Sequence, residues 1–143
     1  MREFKSALLQ RFIDTDEGPA TQYLGCQLIR DRPNRTSQLV QTAYTKRLLS
    51  TFDMWDEVHT VATPTIPGTR LVKVDCPETP SLTLQRRYRS IVGSISYLVQ
   101  MTPRRCDMAF AYGQLSLFLH NPGPVHMAAT ERALFAYVRG THN

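Results

Sequence analysis

The chain has 143 residues with a formal net charge of +5, and 14 of its 17 basic residues are arginine. That length suits one ordinary domain or two small pieces with a real core. The arginine excess suits phosphate, because the planar fork donates two hydrogen bonds at once. Three scattered cysteines, Cys26, Cys76 and Cys106, argue against a disulfide framework or a CxxC metal site. The four histidines show no ligand spacing with them, so zinc is not expected. No run of 18 apolar residues occurs and the N-terminus lacks a secretory apolar stretch; a soluble, intracellular protein of cytoplasm or nucleus is expected, with no membrane partner.

In chain order, Phe4, Leu8, Leu9 and Phe12 recur at helical spacing and predict an amphipathic helix over residues 2–13, closed by the polar turn DTDEGPAT. YLGCQLI and SQLVQ then read as two short strands flanking Pro33-Asn34, the chemistry of a hairpin turn. A second helix follows, with Tyr44, Leu48 and Phe52 aligned. From Trp55 to Thr83 four prolines and many threonines break any period, which reads as a linker draped over the surface or partly disordered. Three helical segments come after it: QRRYRSIVGSISYLVQM, DMAFAYGQLSLFL and PVHMAATERALFAYVRG. Asn121 before Pro-Gly-Pro ends the second, Pro124 suits the first turn of the third, and Gly140 is a natural stop.

The first of these helices poses a question. A glycine inside a helix costs about 1 kcal/mol against alanine, yet Gly93 sits near its middle. Winding at about 100° per residue collects Tyr88, Ile91, Val92, Ile95, Leu98 and Val99 on a core-facing stripe and sends Arg89, Gly93, Ser96, Tyr97 and Gln100 to the other side. Either the glycine is tolerated, or something approaches the backbone there. Arg86, Arg87, Arg89, Arg104 and Arg105 lie in a stretch, Gln85 to Cys106, with no acidic residue. This is a solvated basic face or a polyanion patch: guanidinium meets phosphate, the bare glycine admits a sugar-phosphate backbone, and Tyr97 can lie against sugars.

Catalytic patterns are scarce. Asp14, Asp16 and Glu17 cluster in a turn, where carboxylates are usually solvated caps rather than a two-metal site. No GxSxG, Walker loop, HExxH or tyrosine followed by paired aspartates occurs.

The order of motifs resembles the C-terminal part of the reverse transcriptase of copia-type retrotransposons over nearly all of the chain. FIDTDEG and YLG keep the spacing of that family's F-x-M-K-D-L-G and Y-F-L-G, and LVQTAYTKRLLSTFDM follows its L-S-Q-x-x-Y-x-x-x-L-L-x-x-F-x-M. VATP, YRSIVGSISYL, QLSLFLHNPGPVH and YVRGT complete the series.

The resemblance implies an α+β fold: the end of a palm with a primer-grip hairpin and the following helix over 1–54, a linker over 55–84, and a helical thumb over 85–143. It places the primer grip at Leu24, Gly25 and Cys26 on the hairpin's first strand, although Leu24 and Cys26 alternating onto one face also read as core. Along the thumb helix it matches a polar residue, a glycine and an aromatic, Arg89, Gly93 and Tyr97, to a track along the primer-template; Arg86 and Arg87 add charge.

By the same resemblance the catalytic aspartates and their magnesium ions belong upstream of Met1 and a ribonuclease H domain downstream. The chain alone is thus expected to hold no cofactor and to be inactive. Its expected partners are an RNA–DNA or DNA duplex and the rest of a polymerase. A small helical protein-interaction domain anchored by Tyr97 and a non-functional relic are the alternatives. Two departures from the family pattern stand out: Thr102 to Asp107 is two residues longer, and His126 to Tyr137 one residue longer, enough to rotate a helix by about 100°.

Overall fold

The computed structural model describes residues 2–12, 15, 18–52 and 59–141, with the side chains of Arg2, Pro103 and Arg104 left aside. Asp14, Asp16, Glu17, Trp55 and His142 lie outside the described residues, as does the side chain of Arg104. The architecture is α+β: a helix, a three-stranded sheet, then helices. The chain forms two compact units, Met1–Leu39 and Val40–Asn143.

In the first unit, helix α1 spans Arg2–Arg11, where the apolar spacing places it. Phe4, Leu8, Leu9 and Phe12 are all exposed. The sheet has the order β1-β2-β3, with β1 Gln22–Tyr23, β2 Cys26–Asp31 and β3 Thr36–Val40. The YLGCQLI segment is therefore not one strand. Leu24 and Gly25 have φ of 46° and 80° and reverse the chain, leaving Tyr23 opposite Cys26 in an antiparallel pair. Positive φ at both central residues is the mark of a type I′ hairpin turn. Between β2 and β3 the turn is held by Asp31, whose carboxylate accepts from the Asn34 backbone N–H at 3.2 Å and from its side-chain amide at 2.6 Å. Those two bonds hold the Asp31 carboxyl below its ordinary range.

The second unit is built on α3, Leu82–Met101. Ser81 caps it, its Oγ accepting from the Leu84 N–H at 3.4 Å, and Pro103 follows its end. Its stripe of Tyr88, Ile91, Val92, Ile95 and Leu98 is buried. Burial of such side chains is worth roughly 1.5–3 kcal/mol each, so the stripe outweighs the cost of Gly93 several-fold. Helix α2, Thr42–Thr51, contributes Leu48 and Leu49 to the same core, and Phe52 meets Phe135 edge to face at 5.5 Å. Helix α2 therefore belongs to the unit that holds the C-terminal helices. Between α2 and α3, Val61, Leu71 and Cys76 pack against that core, and the Val61 N–H donates to the Ala136 carbonyl at 3.3 Å.

After α3 the chain passes through a 3-10 segment, Pro103–Met108, with a kink at Arg105, into α4, Ala109–Ser116. Helix α5, Pro124–Glu131, starts at Gly123, whose N–H donates to His126 Nδ1 at 2.9 Å. The buried His126 ring stacks on Phe118 at 4.0 Å. Helix α5 then widens into a π-helical stretch, Arg132–Val138, in which six consecutive residues from Ala133 to Val138 are buried. The π-helical stretch falls in the run from His126 to Tyr137, and the 3-10 segment in the run from Thr102 to Asp107.

Candidate nucleic-acid interface

Helix α3 presents two faces of opposite character. Opposite the buried stripe, Gly93 is exposed, and a Cβ placed there would meet no atom within 4 Å. No packing partner accounts for the glycine. One turn before it, Arg89 is exposed and its Nε donates to the Leu119 carbonyl at 2.9 Å, which fixes the stem of the side chain at the helix surface. One turn after it, Tyr97 is half-buried. Next to Gly93, Gln100 Nε2 donates to Ser96 Oγ at 2.7 Å and lines the same face with polar groups.

The other arginines separate. Arg86 falls in the angular sector of Arg89 and Gly93 and is exposed. Arg87 lies about 100° further round, where its guanidinium is 3.6 Å from the Glu131 carboxylate of α5. Both partners are substantially exposed, so the pair is weak. Arg105 turns away to the C-terminal end, donating to Thr141 Oγ1 at 2.6 Å and to the Thr141 carbonyl at 2.7 Å; burial lowers its pKa from the ordinary value. The described arginines of the stretch from Gln85 to Cys106, Arg86, Arg87, Arg89 and Arg105, therefore do not form one patch.

The Tyr97 ring does not stand by itself. It lies 4.6 Å from the ring of Tyr44 on α2, tilted by 58°, and the Arg47 guanidinium lies 5.7 Å from the centre of the Tyr44 ring. The buried side chain of Gln41, at the start of α2, spans the two helices: its Nε2 donates to the Tyr97 carbonyl at 3.4 Å, and its Oε1 accepts from the buried Thr102 hydroxyl. Sequence reasoning missed Tyr44 and Arg47 as surface features because Tyr44 falls on the apolar stripe of α2. A signal was present in the three-residue spacing, since side chains at i and i+3 share a helix face.

In the hairpin, Leu24 and Gly25 form the turn and Cys26 begins the strand after it. Leu24 is 64% exposed and Cys26 fully buried, so they do not share a face. The alternation expected of a strand fails because the chain reverses between them. Gly25 supplies the left-handed conformation that the turn requires.

A separate apolar groove of about 210 Å³ lies between the 64–71 loop and helices α4 and α5, lined among others by Ile66, Leu71, Phe110, Val125 and Arg132. Arg132 Nε is buried without a hydrogen-bond partner. Among the described residues no group of three His, Cys, Asp or Glu side chains that could hold a metal ion occurs. No helix of the described residues is long and apolar enough to cross a membrane.

Compared with known proteins, the chain is 37% identical over 142 residues to the retrovirus-related Pol polyprotein from transposon TNT 1-94 of Nicotiana tabacum, covering 97% of the chain and 10% of that protein. It is 33% identical over 136 residues to the corresponding polyprotein from transposon RE1 of Arabidopsis thaliana, covering 95% and 9%. With transposon RE2 of the same plant the identity is 33% over 135 residues, covering 94% and 9%. The chain spans about a tenth of the length of the curated relatives it matches. No protein-family profile and no solved structure matches it.

Proposed function

This chain belongs to the family of copia-type retrotransposon Pol polyproteins, and from that premise we propose that it is the part of a reverse transcriptase that holds the primer-template duplex. In this reading residues 1–54 end the palm and carry the primer grip, residues 55–84 connect, and residues 85–143 form the thumb. The observation that carries it is the open backbone at Gly93, exposed between Arg89 and the edge of Tyr97 on a helix without acidic residues.

Such a face recognises a duplex by shape, backbone and charge. A minor groove can settle on the bare helix turn, Arg89 and Arg86 meet phosphates, and Tyr97 lies against sugars. Binding of that kind is indifferent to sequence and falls with salt as counterions return. At the hairpin, the exposed Leu24 and the Gly25 backbone form the tip that meets the primer end. The reading assigns the chain a holding role, with no bond made or broken.

Fluorescence anisotropy of the full chain with a labelled RNA–DNA hybrid tests the proposal. Micromolar binding that weakens with salt and is lost in Gly93→Glu supports it. Absence of binding at micromolar protein and low salt overturns it.

A second reading rests on the groove beside Phe110. Its apolar lining and the exposed Phe110 fit a partner protein's apolar side chain. Phe110 is 68% exposed, so Phe110→Ser leaves the core intact. Loss of a protein partner with hybrid binding retained would favour this reading over the first.

A further inference from the structure

Helices α2 and α3 together contain five basic residues, Lys46, Arg47, Arg86, Arg87 and Arg89, and no acidic one. The two helices meet where Tyr44 packs on Tyr97, and Gln41 fastens that junction from beneath. We propose that α2 extends the duplex-holding face of α3, with Arg47 as a second phosphate contact and Tyr44 as its support, on the far side of Tyr97 from Arg89.

A succession of neighbours joins the two arginines. Arg89, Gly93 and Tyr97 follow at i, i+4 and i+8, about 12 Å along the α3 axis. From Tyr97 the succession crosses to Tyr44 at 4.6 Å and on to Arg47 at 5.7 Å. A guanidinium beside an aromatic ring is held by cation–π attraction while its N–H edge stays directed outward. Arg47 is exposed, and no described carboxylate pairs with it. The face thus carries a cation at each end with an aromatic pair and a bare helix turn between them. That arrangement suits a duplex whose two backbones flank a groove, one phosphate row to each arginine.

This inference rests on reading the Gly93 face as a duplex surface, and the test separates the two. Hybrid binding by the full chain is measured as a function of salt for the wild type, Gly93→Glu, Arg47→Ala, Arg47→Lys and Arg70→Ala, the last an exposed cation on the loop before α3. Each phosphate contact contributes about 0.9 to the slope of log affinity against log salt. Arg47→Ala is expected to lower that slope by about 0.9 and to weaken binding on the order of fivefold at low salt. Arg47→Lys restores the slope without the full affinity, and Arg70→Ala matches the wild type.

If Gly93→Glu loses binding while Arg47→Ala behaves as the wild type, α2 lies outside the interface and the inference fails, with the α3 reading intact. Equal effects of Arg47→Ala and Arg70→Ala would mean undirected attraction to a polyanion, which also overturns it. If the wild type itself does not bind, both readings fall together.

Discussion

Tyr137 donates its phenolic hydrogen to the Asp107 carboxylate, tying the π-helical stretch to the 3-10 segment. These two residues close the two runs in which the chain is longer than the family pattern. Arg105 makes a second link from the 3-10 segment, to Thr141 just beyond the π-helical stretch. The 3-10 segment is therefore tied by hydrogen bonds to the C-terminal end of the chain. A single inserted residue in a helix is commonly taken up as a π-bulge, which leaves the flanking turns in phase.

Removing Ala133 should accordingly leave a continuous α-helix and a cooperative thermal melt. Removing Ser94 from α3, where the helix is regular, should abolish the melt by rotating Ile95 and Leu98 out of the core. Comparable loss in both deletions would show that the wide turn absorbs nothing.

Gly93→Ala should stabilise the fold by about 1 kcal/mol, because its Cβ meets no atom. Urea denaturation measures this directly. Gly93→Glu should leave the midpoint near that of the wild type while hybrid binding is lost, so stability and recognition part company at one position.

Leu24 occupies a left-handed conformation that costs a branched residue roughly 1–2 kcal/mol, and Asn-Gly is the preferred pair for this turn. Leu24→Asn should therefore stabilise the hairpin, seen as slower amide hydrogen exchange at Cys26 and Leu28. If Leu24 touches the primer end, the same variant should bind hybrid more weakly.

The Tyr88 hydroxyl is fully buried and donates to the Leu115 carbonyl at 2.7 Å. Burial, and secondarily the Cys76 thiol, push its pKa well above the ordinary 10.0. Because the folded value is raised, the contribution of Tyr88 is fully present below about pH 10 and declines as pH climbs toward the folded value. Thermal melts between pH 8 and 12 should be level to about pH 10 and fall beyond it. Tyr88→Phe should flatten that decline and cost about 0.5–1.5 kcal/mol at neutral pH, one buried hydrogen bond being lost while the Leu115 carbonyl keeps the Phe118 N–H at 3.2 Å.

The α3 stripe was legible because one period of 3.6 governs all of its buried positions, and the exposed side of Gly93 followed from the same winding. The path around Leu24 was not, since Leu-Gly lacks the Asn or Asp that announces a tight turn and its neighbours alternate like a strand. Nor does sequence period reveal a π-helix: six consecutive buried residues from Ala133 to Val138 fit no single stripe. The arginines of the 86–105 stretch look alike in sequence but differ in partner, because Glu131 and Thr141 come close only through tertiary packing. Tyr44 and Tyr97, 53 positions apart, become neighbours by the same route.

Cys26 is the one buried residue among those described in Met1–Leu39, whereas α3 alone buries five side chains. Protection against solvent exchange should therefore be steeply uneven along the chain. Amides of the N-terminal helix and the short strands would swap deuterium within the earliest time points, and those around Ile91 and Ile95 only on global opening. A ligand that slowed the early class would betray its footprint without any variant being made.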